Sequence, residues 1–301
     1  MIYVANPKSI FLKSKLEIKK LFENVLDSGS YILGEEVKKF ENNFAKYCNV
    51  KHGVAVGNAT DAIEICLRAL KLKKGDKVLT VSHTAIATIS AIVSAGLTPK
   101  FLDVSSVDFN MDINQLEKKI TKDVKVIIIV HLYGQTSDMS KIKKIAKENS
   151  LFLIEDCSQA HGAMYKNKIV GGFGDFGIFS FYPTKNLATL GDAGLITTNN
   201  RKLYEKVFKL REYGWNNDRE SEIHGKNSRM DEIHAAILNI QLEKLDENND
   251  KRRKIADYYD KNFKDLNMIT PIKNIFSKHV YHQYVVQLEN RDELMNFLKK
   301  K

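Results

Sequence analysis

Cysteine is scarce in this chain and scattered: Cys48, Cys66 and Cys157 fall into no paired or closely spaced motif. That argues against a disulfide framework or a cysteine-rich zinc site and points to a reducing, cytoplasmic compartment. Long apolar runs are missing as well. The longest, around Val126 to Val130, is far too short to span a membrane, and the N-terminus lacks the apolar core of a signal peptide. The net charge of +10 comes without a dense basic arm or an aromatic RNA-binding signature, so neither nucleic acid nor membrane is an expected partner. The scattered lysines read as a solvated surface, whose positive field would also help to collect an anionic substrate. Proline is rare too, with four in the chain, which gives Pro183 weight as the residue that fixes a turn.

What is present suits an ordinary globular protein. With 301 residues, 43% hydrophobic and 28% charged, the chain can bury a substantial core. We expect an extended arm from Met1 to Pro7, then amphipathic helices over Lys13 to Asp27 and Glu35 to Cys48. A strand follows from Gly53 to Val56, and Gly57 to Leu70 reads as a turn opening a helix. Strands and helices then alternate: strand Lys77 to Val81, helix Thr84 to Ala95, strand Pro99 to Val104, helix Ile113 to Lys119, strand Lys125 to Val130, helix Met139 to Asn149, strand Leu151 to Glu155. Near-continuous apolar strands in such alternation imply an α/β fold, a mostly parallel sheet with helices on both faces.

Two further apolar strands, Phe176 to Phe181 and Gly194 to Thr198, flank a loop carrying Pro183 and Lys185. Helices are expected over Lys202 to Tyr213 and from Met230 past Ala256, with an irregular loop between them. Val280 to Leu288 reads as a strand, and Arg291 begins a helix. The boundaries are an N-terminal arm (1–16), a large domain (17–240) and a small α+β domain (241–301). One strand and half a helix cannot make a stable layer, so the small domain is expected to be incomplete or completed by a partner.

Ligand sites in such sheets lie at the carboxyl ends of the strands. Gly57-Asn58-Ala59-Thr60 falls there, between a strand and a helix N-terminus, where free N–H groups and the helix dipole favour a phosphate. Asp61 in the same turn either serves that site or caps the helix. Asp156 ends a buried strand, and such a carboxylate needs a cation or several donors. Pairing with a nearby Lys or Arg is one reading, and contact with a protonated ring nitrogen is the other. Ser180 leads into the loop of Lys185, where its hydroxyl meets either backbone or phosphate. Lys185 is either one more solvated lysine or an amine held near the interior, where desolvation lowers its pKa and suits it to act as nucleophile and base. Anion cradle, strand-end carboxylate, hydroxyl and turn lysine together match the needs of pyridoxal 5'-phosphate.

The stretches FSFYPTKNLATLGDAGLITT, EDCSQAHGA, HLYGQTSDM, GNATDAI and GKNSRMDEIHAAIL resemble the DegT/DnrJ/StrS aminotransferases, which aminate keto sugars attached to nucleotides. The resemblance covers about Gly29 to Gln283. In LREYGWNND and HTAIAT it is closest to enzymes making 3-amino-3,6-dideoxyhexoses on dTDP. It implies the aspartate-aminotransferase-like fold, fold type I of the pyridoxal-phosphate-dependent transferases, and a homodimer with active sites at the subunit boundary.

By that resemblance Lys185 would carry the cofactor as an imine and shuttle a proton, and Asp156 would pair with the pyridinium nitrogen. Gln159 would contact the hydroxyl side of the ring, and Ala59, Thr60 and Ser180 would hold the phosphate. Asn227 would reach the phosphate of the neighbouring subunit. Tyr31, Arg229 and Tyr281, the last in the HVYHQY segment, would touch substrate or serve packing. The donor would be glutamate.

The chain departs from the pattern in two places. HTAIAT has Ala85 where relatives often stack an aromatic ring on the cofactor, leaving His83 as the nearby ring: either His83 stacks on the cofactor or the cofactor is less tightly sandwiched. Relatives also usually continue for several tens of residues past a position like Lys301. Three other readings remain: a sugar dehydratase, in which relatives replace the lysine by histidine, a cyclitol aminotransferase, and a noncatalytic anion-binding regulatory protein.

Overall fold

The computed structural model describes residues 5–300. The first helices are α1 (Pro7–Lys13), α2 (Lys15–Ser28) and α3 (Glu35–Tyr47), followed by β1 (His52–Val56) and α4 (Ala59–Ala69). The alternating stretch contains β2 (Lys77–Val81), α5 (Ile86–Ser94), β3 (Thr98–Leu102), α6 (Ile113–Lys119), β4 (Val124–Val130), α7 (Met139–Glu148) and β5 (Phe152–Asp156). Two short strands, β6 (Met164–Tyr165) and β7 (Lys168–Ile169), precede β8 (Phe176–Ser180) and β9 (Gly194–Thr198). The chain then runs through α8 (Arg201–Leu210), α9 (Glu232–Glu243), α10 (Leu245–Phe263), β10 (Ser277–Lys278) and α11 (Arg291–Lys299).

Seven strands form one sheet in the order β1-β9-β8-β5-β4-β2-β3. All neighbours pair in parallel except those of β9, which runs antiparallel to both β8 and β1. The exception has a local cause. A single loop, without a crossover helix, joins β8 to β9, and such a connection returns the chain antiparallel. That loop carries Lys185.

Alternation along each strand supplies apolar side chains to both faces. Ile178 and Ile196 meet α4, α5 and α8 on one side. Phe179 and Leu195 meet α3 and α9 on the other, where α6 and α7 also cover Leu79, Ile127 and Ile129. Phe44 of α3 stacks edge-on against Phe179 (ring centroids 4.7 Å apart) and Phe181 (5.5 Å). Burial of each such ring contributes about 1.5–3 kcal/mol.

Three expectations are corrected, and one small sheet went unforeseen. The first helix starts at Pro7 and not at Lys13, because Pro at N1 and the Asn6 side chain, which accepts the Ser9 N–H, open α1 before the expected helix; Met1 to Val4 lie outside the described residues. The long helix from Met230 breaks at Lys244, whose N–H bonds back to Gln241 in a tightened turn. Val280 to Leu288 is not a strand. Its backbone groups go elsewhere: the Val280 N–H donates to the Gly134 carbonyl (3.0 Å), the Gln283 N–H to Tyr133 (3.4 Å), and Gln287 makes a single bridge to Ile269. Lastly, β10, β6 and β7 form a small separate sheet that no alternation in the sequence announces.

Candidate active site

The carboxyl ends of β1, β5 and β8 converge on a cavity of about 270 Å³ lined by Ala59, Thr60, Asp156, Gln159, Ser180 and Lys185, with Ala85 and Tyr182 among its other walls. Six of the residues singled out from the sequence therefore meet in one place.

Asn58 builds the cradle. Its side chain accepts the Asp61 N–H (2.8 Å) and caps α4, leaving the N–H groups of Ala59 and Thr60 without an acceptor among the described residues. These two donors at a helix N-terminus suit an anion. Gly194 of β9 backs this turn so closely that a Cβ there would lie 2.5 Å from the Asn58 carbonyl carbon. Asp61 is committed to structure: it pairs with Lys226 (2.5 Å) and accepts from Ser228 Oγ (2.7 Å), while Ser228 Oγ accepts the Gly57 N–H (3.0 Å). The cradle is thereby tied to the Lys226 to Ser228 segment.

Asp156 is 6% exposed, and no cation pairs with it among the described residues. It accepts instead from the Ser158 N–H (3.1 Å) and from Thr88 Oγ1 (3.3 Å). The reading of Asp156 as half of a structural ion pair therefore fails. Its strand neighbour Glu155 faces the opposite side of the sheet and is fully buried. There it accepts the N–H groups of Gly171 (3.0 Å), Phe173 (2.7 Å) and Gly174 (2.8 Å) and lies 3.3 Å from His131 Nε2.

Lys185 closes a turn begun by Tyr182, its N–H bonding the Tyr182 carbonyl at 2.8 Å with Pro183 in the second position. Its ammonium has no hydrogen-bond or ion-pair partner among the described residues. Burial pulls its pKa below the ordinary lysine value, and the charge of Asp156 partly opposes that pull. Lys185 is thus half-buried at the cavity wall and not a fully exposed loop lysine.

Gln159 accepts the Tyr133 N–H at 2.7 Å through its carbonyl oxygen, so its amide hydrogens are available to the cavity. Tyr133 holds a left-handed backbone (φ 58°), costly for a bulky residue and maintained by this bond. His83 does not line the cavity. It is exposed, and its Nε2 meets the Tyr133 hydroxyl at 2.9 Å beside Phe109, so Ala85 stands at the wall alone.

The remaining residues lie outside this cavity. Asn227 is exposed and bridges Glu212, and Arg229 lies 3.5 Å from Glu212. Tyr31 is 54% exposed, its carbonyl accepting the Glu232 N–H. Tyr281 is buried and stacked on His279 at 4.0 Å. Sequence reasoning missed Thr88 and Tyr133. Both sit inside the HTAIAT and HLYGQ stretches already singled out, at positions whose role depends on long-range contacts.

Comparison with known proteins agrees with this geometry. Residues 13–301 match the model of the DegT/DnrJ/EryC1/StrS aminotransferase family. The dTDP-3-amino-3,6-dideoxy-alpha-D-galactopyranose transaminase of Aneurinibacillus thermoaerophilus is 43% identical over 298 residues, covering 99% of this chain and 82% of that protein. Among solved structures, DesV of S. venezuelae superposes with a TM-score of 0.97 at 36% identity, covering 99% of this chain and 81% of DesV. Bacillus subtilis NtdA with bound cofactor PMP gives 0.88 at 30% identity, covering 94% of this chain and 66% of NtdA. The sheet order and these superpositions identify the fold as the aspartate-aminotransferase-like fold type I. The chain belongs to the DegT/DnrJ/EryC1/StrS aminotransferase family.

Proposed function

We propose that this chain is a pyridoxal-phosphate-dependent transaminase that moves an amino group from glutamate to a keto group of a nucleotide-linked sugar, with a 3-keto-6-deoxyhexose favoured over a 4-keto one. The observation that carries it is the meeting of Lys185, Asp156 and the unpartnered N–H pair of Ala59 and Thr60 in one cavity. The donor set fits the cofactor at each end: an anion cradle for phosphate, a carboxylate free of cations for a protonated ring nitrogen, and an amine with a lowered pKa for an aldehyde.

When bound, pyridoxal phosphate supplies an electron sink for the carbanion that transamination creates. The protein's own work is placement and proton transfer. Ala59, Thr60 and Ser180 hold the phosphate, and Gln159 offers its amide hydrogens to the hydroxyl side of the ring. Asp156 keeps the ring nitrogen protonated. Lys185 would hold the cofactor's aldehyde and, once displaced from it by the donor's amine, would serve as the base that moves a proton from the donor's α-carbon. At this wall the HTAIAT stretch presents Thr84, Ala85 and Ala87 and no aromatic ring among the described residues.

A homodimer is part of this reading. Asn227, exposed on its own subunit, reaches the phosphate of the other, with Arg229 and Tyr31 near the shared boundary. The printed name of the Aneurinibacillus relative supports a dTDP-linked 3-keto sugar as substrate. Lys185 disfavours a dehydratase in which histidine replaces that residue.

The test has two parts. Protein mixed with pyridoxal phosphate should turn yellow, lose the colour on borohydride, and carry the label on Lys185 by mass spectrometry. Incubation with glutamate and a panel of 3-keto and 4-keto nucleotide sugars should then yield an amino sugar from the 3-keto members. A label elsewhere, or no aminated product, would overturn the assignment.

A further inference from the structure

Asn227 makes no hydrogen bond of its own among the described residues, yet both of its neighbours are tied down by one carboxylate. Lys226 Nζ pairs with Asp61 Oδ1 at 2.5 Å, and Ser228 Oγ donates to Asp61 Oδ2 at 2.7 Å. Ser228 Oγ in turn accepts the Gly57 N–H at 3.0 Å, and Lys226 also reaches Glu64 Oε2 of the same helix at 2.8 Å. The backbone repeats the arrangement. In the antiparallel bridge of Asn227 with Glu212, the bonds run through the flanking residues: the Ser228 N–H donates to the Arg211 carbonyl at 2.9 Å, and the Lys226 carbonyl accepts the Tyr213 N–H at 3.1 Å. Ser228 is buried and Asn227 exposed. One polar side chain is thus presented outward from a segment otherwise spent on its own subunit.

Asp61 does not line the cavity, although it sits in the first turn of the helix whose start forms the anion cradle. Beside such a cradle a carboxylate opposes the anion, and Lys226 offsets that charge. The cradle itself does not depend on the Asp61 side chain: the Asn58 cap runs through the Asp61 backbone N–H (2.8 Å), which any residue except proline would retain at this position. Only the longer contact from Asn58 Nδ2, at 3.2 Å, uses the carboxylate. Its two short bonds both go to the segment around Asn227.

We infer that Asp61 is a positioning residue for the neighbouring active site: by holding Lys226 and Ser228 it fixes the backbone that presents Asn227 to the cofactor phosphate of the other subunit. The inference rests on the proposed homodimer in which Asn227 crosses the boundary. One helix start then does two jobs. The N–H groups of Ala59 and Thr60 face the chain's own cavity, while the side chain of Asp61 prepares a contact in the other. An untethered segment must be ordered each time that contact forms, and fixing the backbone of one residue beforehand is worth roughly 10-fold in affinity.

Mixed dimers of the full chain, isolated through two different tags, separate an effect on the neighbour from an effect on the chain's own cradle. The reporter chain keeps Lys185, and its partner carries Lys185→Ala, so every borohydride-fixed label on Lys185 reports the reporter's cavity alone. Pyridoxal phosphate is titrated, and the label is counted by mass spectrometry. Adding Asp61→Ala to the K185A partner should raise the half-saturating concentration roughly 10-fold. Moving D61A to the reporter, opposite a K185A partner, should shift it less.

A larger shift with D61A on the reporter would mean that Asp61 serves its own cradle, and an unmoved midpoint with D61A on the partner would leave it no role across the boundary; either overturns the inference. Asn227→Ala on the K185A partner tells this failure from that of the underlying reading. A shift with N227A but none with D61A means that Asp61 alone was misjudged, whereas no shift with N227A means that Asn227 does not serve the neighbour and the inference falls with it. Should D61A chains fail to fold, Lys226→Met, which keeps the aliphatic stem and deletes one of the two ties, takes its place. It should move the midpoint in the same direction and by less, again more on the partner than on the reporter, and the opposite ranking overturns the inference in the same way.

Discussion

Thr88 Oγ1 donates to Asp156 Oδ2 across 3.3 Å, joining α5 to the end of β5, and both residues are buried. The bond holds the carboxylate where a ring nitrogen would need it without supplying a competing positive charge. Thr88→Val keeps the shape and deletes the donor. We expect turnover to fall about 5- to 10-fold, matching the roughly 1 to 1.5 kcal/mol of one such hydrogen bond. Cofactor titration by absorbance should show weaker binding, with the melting temperature changed little.

The lowered pKa of Lys185 has a stability consequence. Burial disfavours its charged form, so between the folded pKa and the ordinary lysine value of 10.5 the unfolded chain binds more protons than the folded one. Stability contributed at this site therefore rises with pH through that window, and the penalty is fully present below it. Lys185→Met removes the penalty. The variant should melt at a higher temperature than the parent at pH 7, and the gap should shrink as pH climbs toward 10.5. It should also show no turnover. A constant gap across pH would refute the electrostatic account.

Glu155 anchors the Gly171 to Gly174 turn through three backbone N–H groups. In Glu155→Gln one oxygen becomes an NH2 group that must face the Gly171 N–H or the two donors at Phe173 and Gly174. Leaving a buried donor unsatisfied costs about 1–3 kcal/mol. Urea denaturation at neutral pH should show that loss as a lower midpoint with an unchanged slope.

If Asn227 serves the neighbouring site, two crippled chains can repair each other. Lys185→Ala and Asn227→Ala homodimers should each be nearly inactive. Mixed and re-equilibrated, they should recover activity, because the N227A chain keeps its lysine and receives Asn227 from its K185A partner. With random pairing the ceiling is about a quarter of the parent's activity, half of the dimers having one competent site of two. Failure of mixed dimers to recover any activity would place Asn227 outside the partner's site.

Local periodicity was enough to locate most elements. The apolar blocks of β2, β4, β8 and β9 and the amphipathic faces of α3 and α7 appear where the pattern of side chains places them, because burial on one or two faces must be written into the residues themselves. Pro183 and the lysine two positions on announced their turn for the same local reason. Where the sequence misled, the deciding interactions were distant: Val280 to Leu288 has strand composition, yet its backbone is claimed by the loop around Tyr133 and Gly134.

The amino-acid order by itself thus determined the α/β alternation, the turn at Asn58 that opens α4, and the pairing of Lys185 with Asp156 as the residues to watch. Only the tertiary structure decided that Asp156 is partnered by Thr88 and, among the described residues, by no cation, that Ala85 and not His83 borders the cavity, and that Asn186 meets both Asn249 and His282. Those contacts join residues 63 to 96 positions apart. No local pattern encodes them, because a hydrogen bond is satisfied by whichever group the packed fold brings within 3 Å or so.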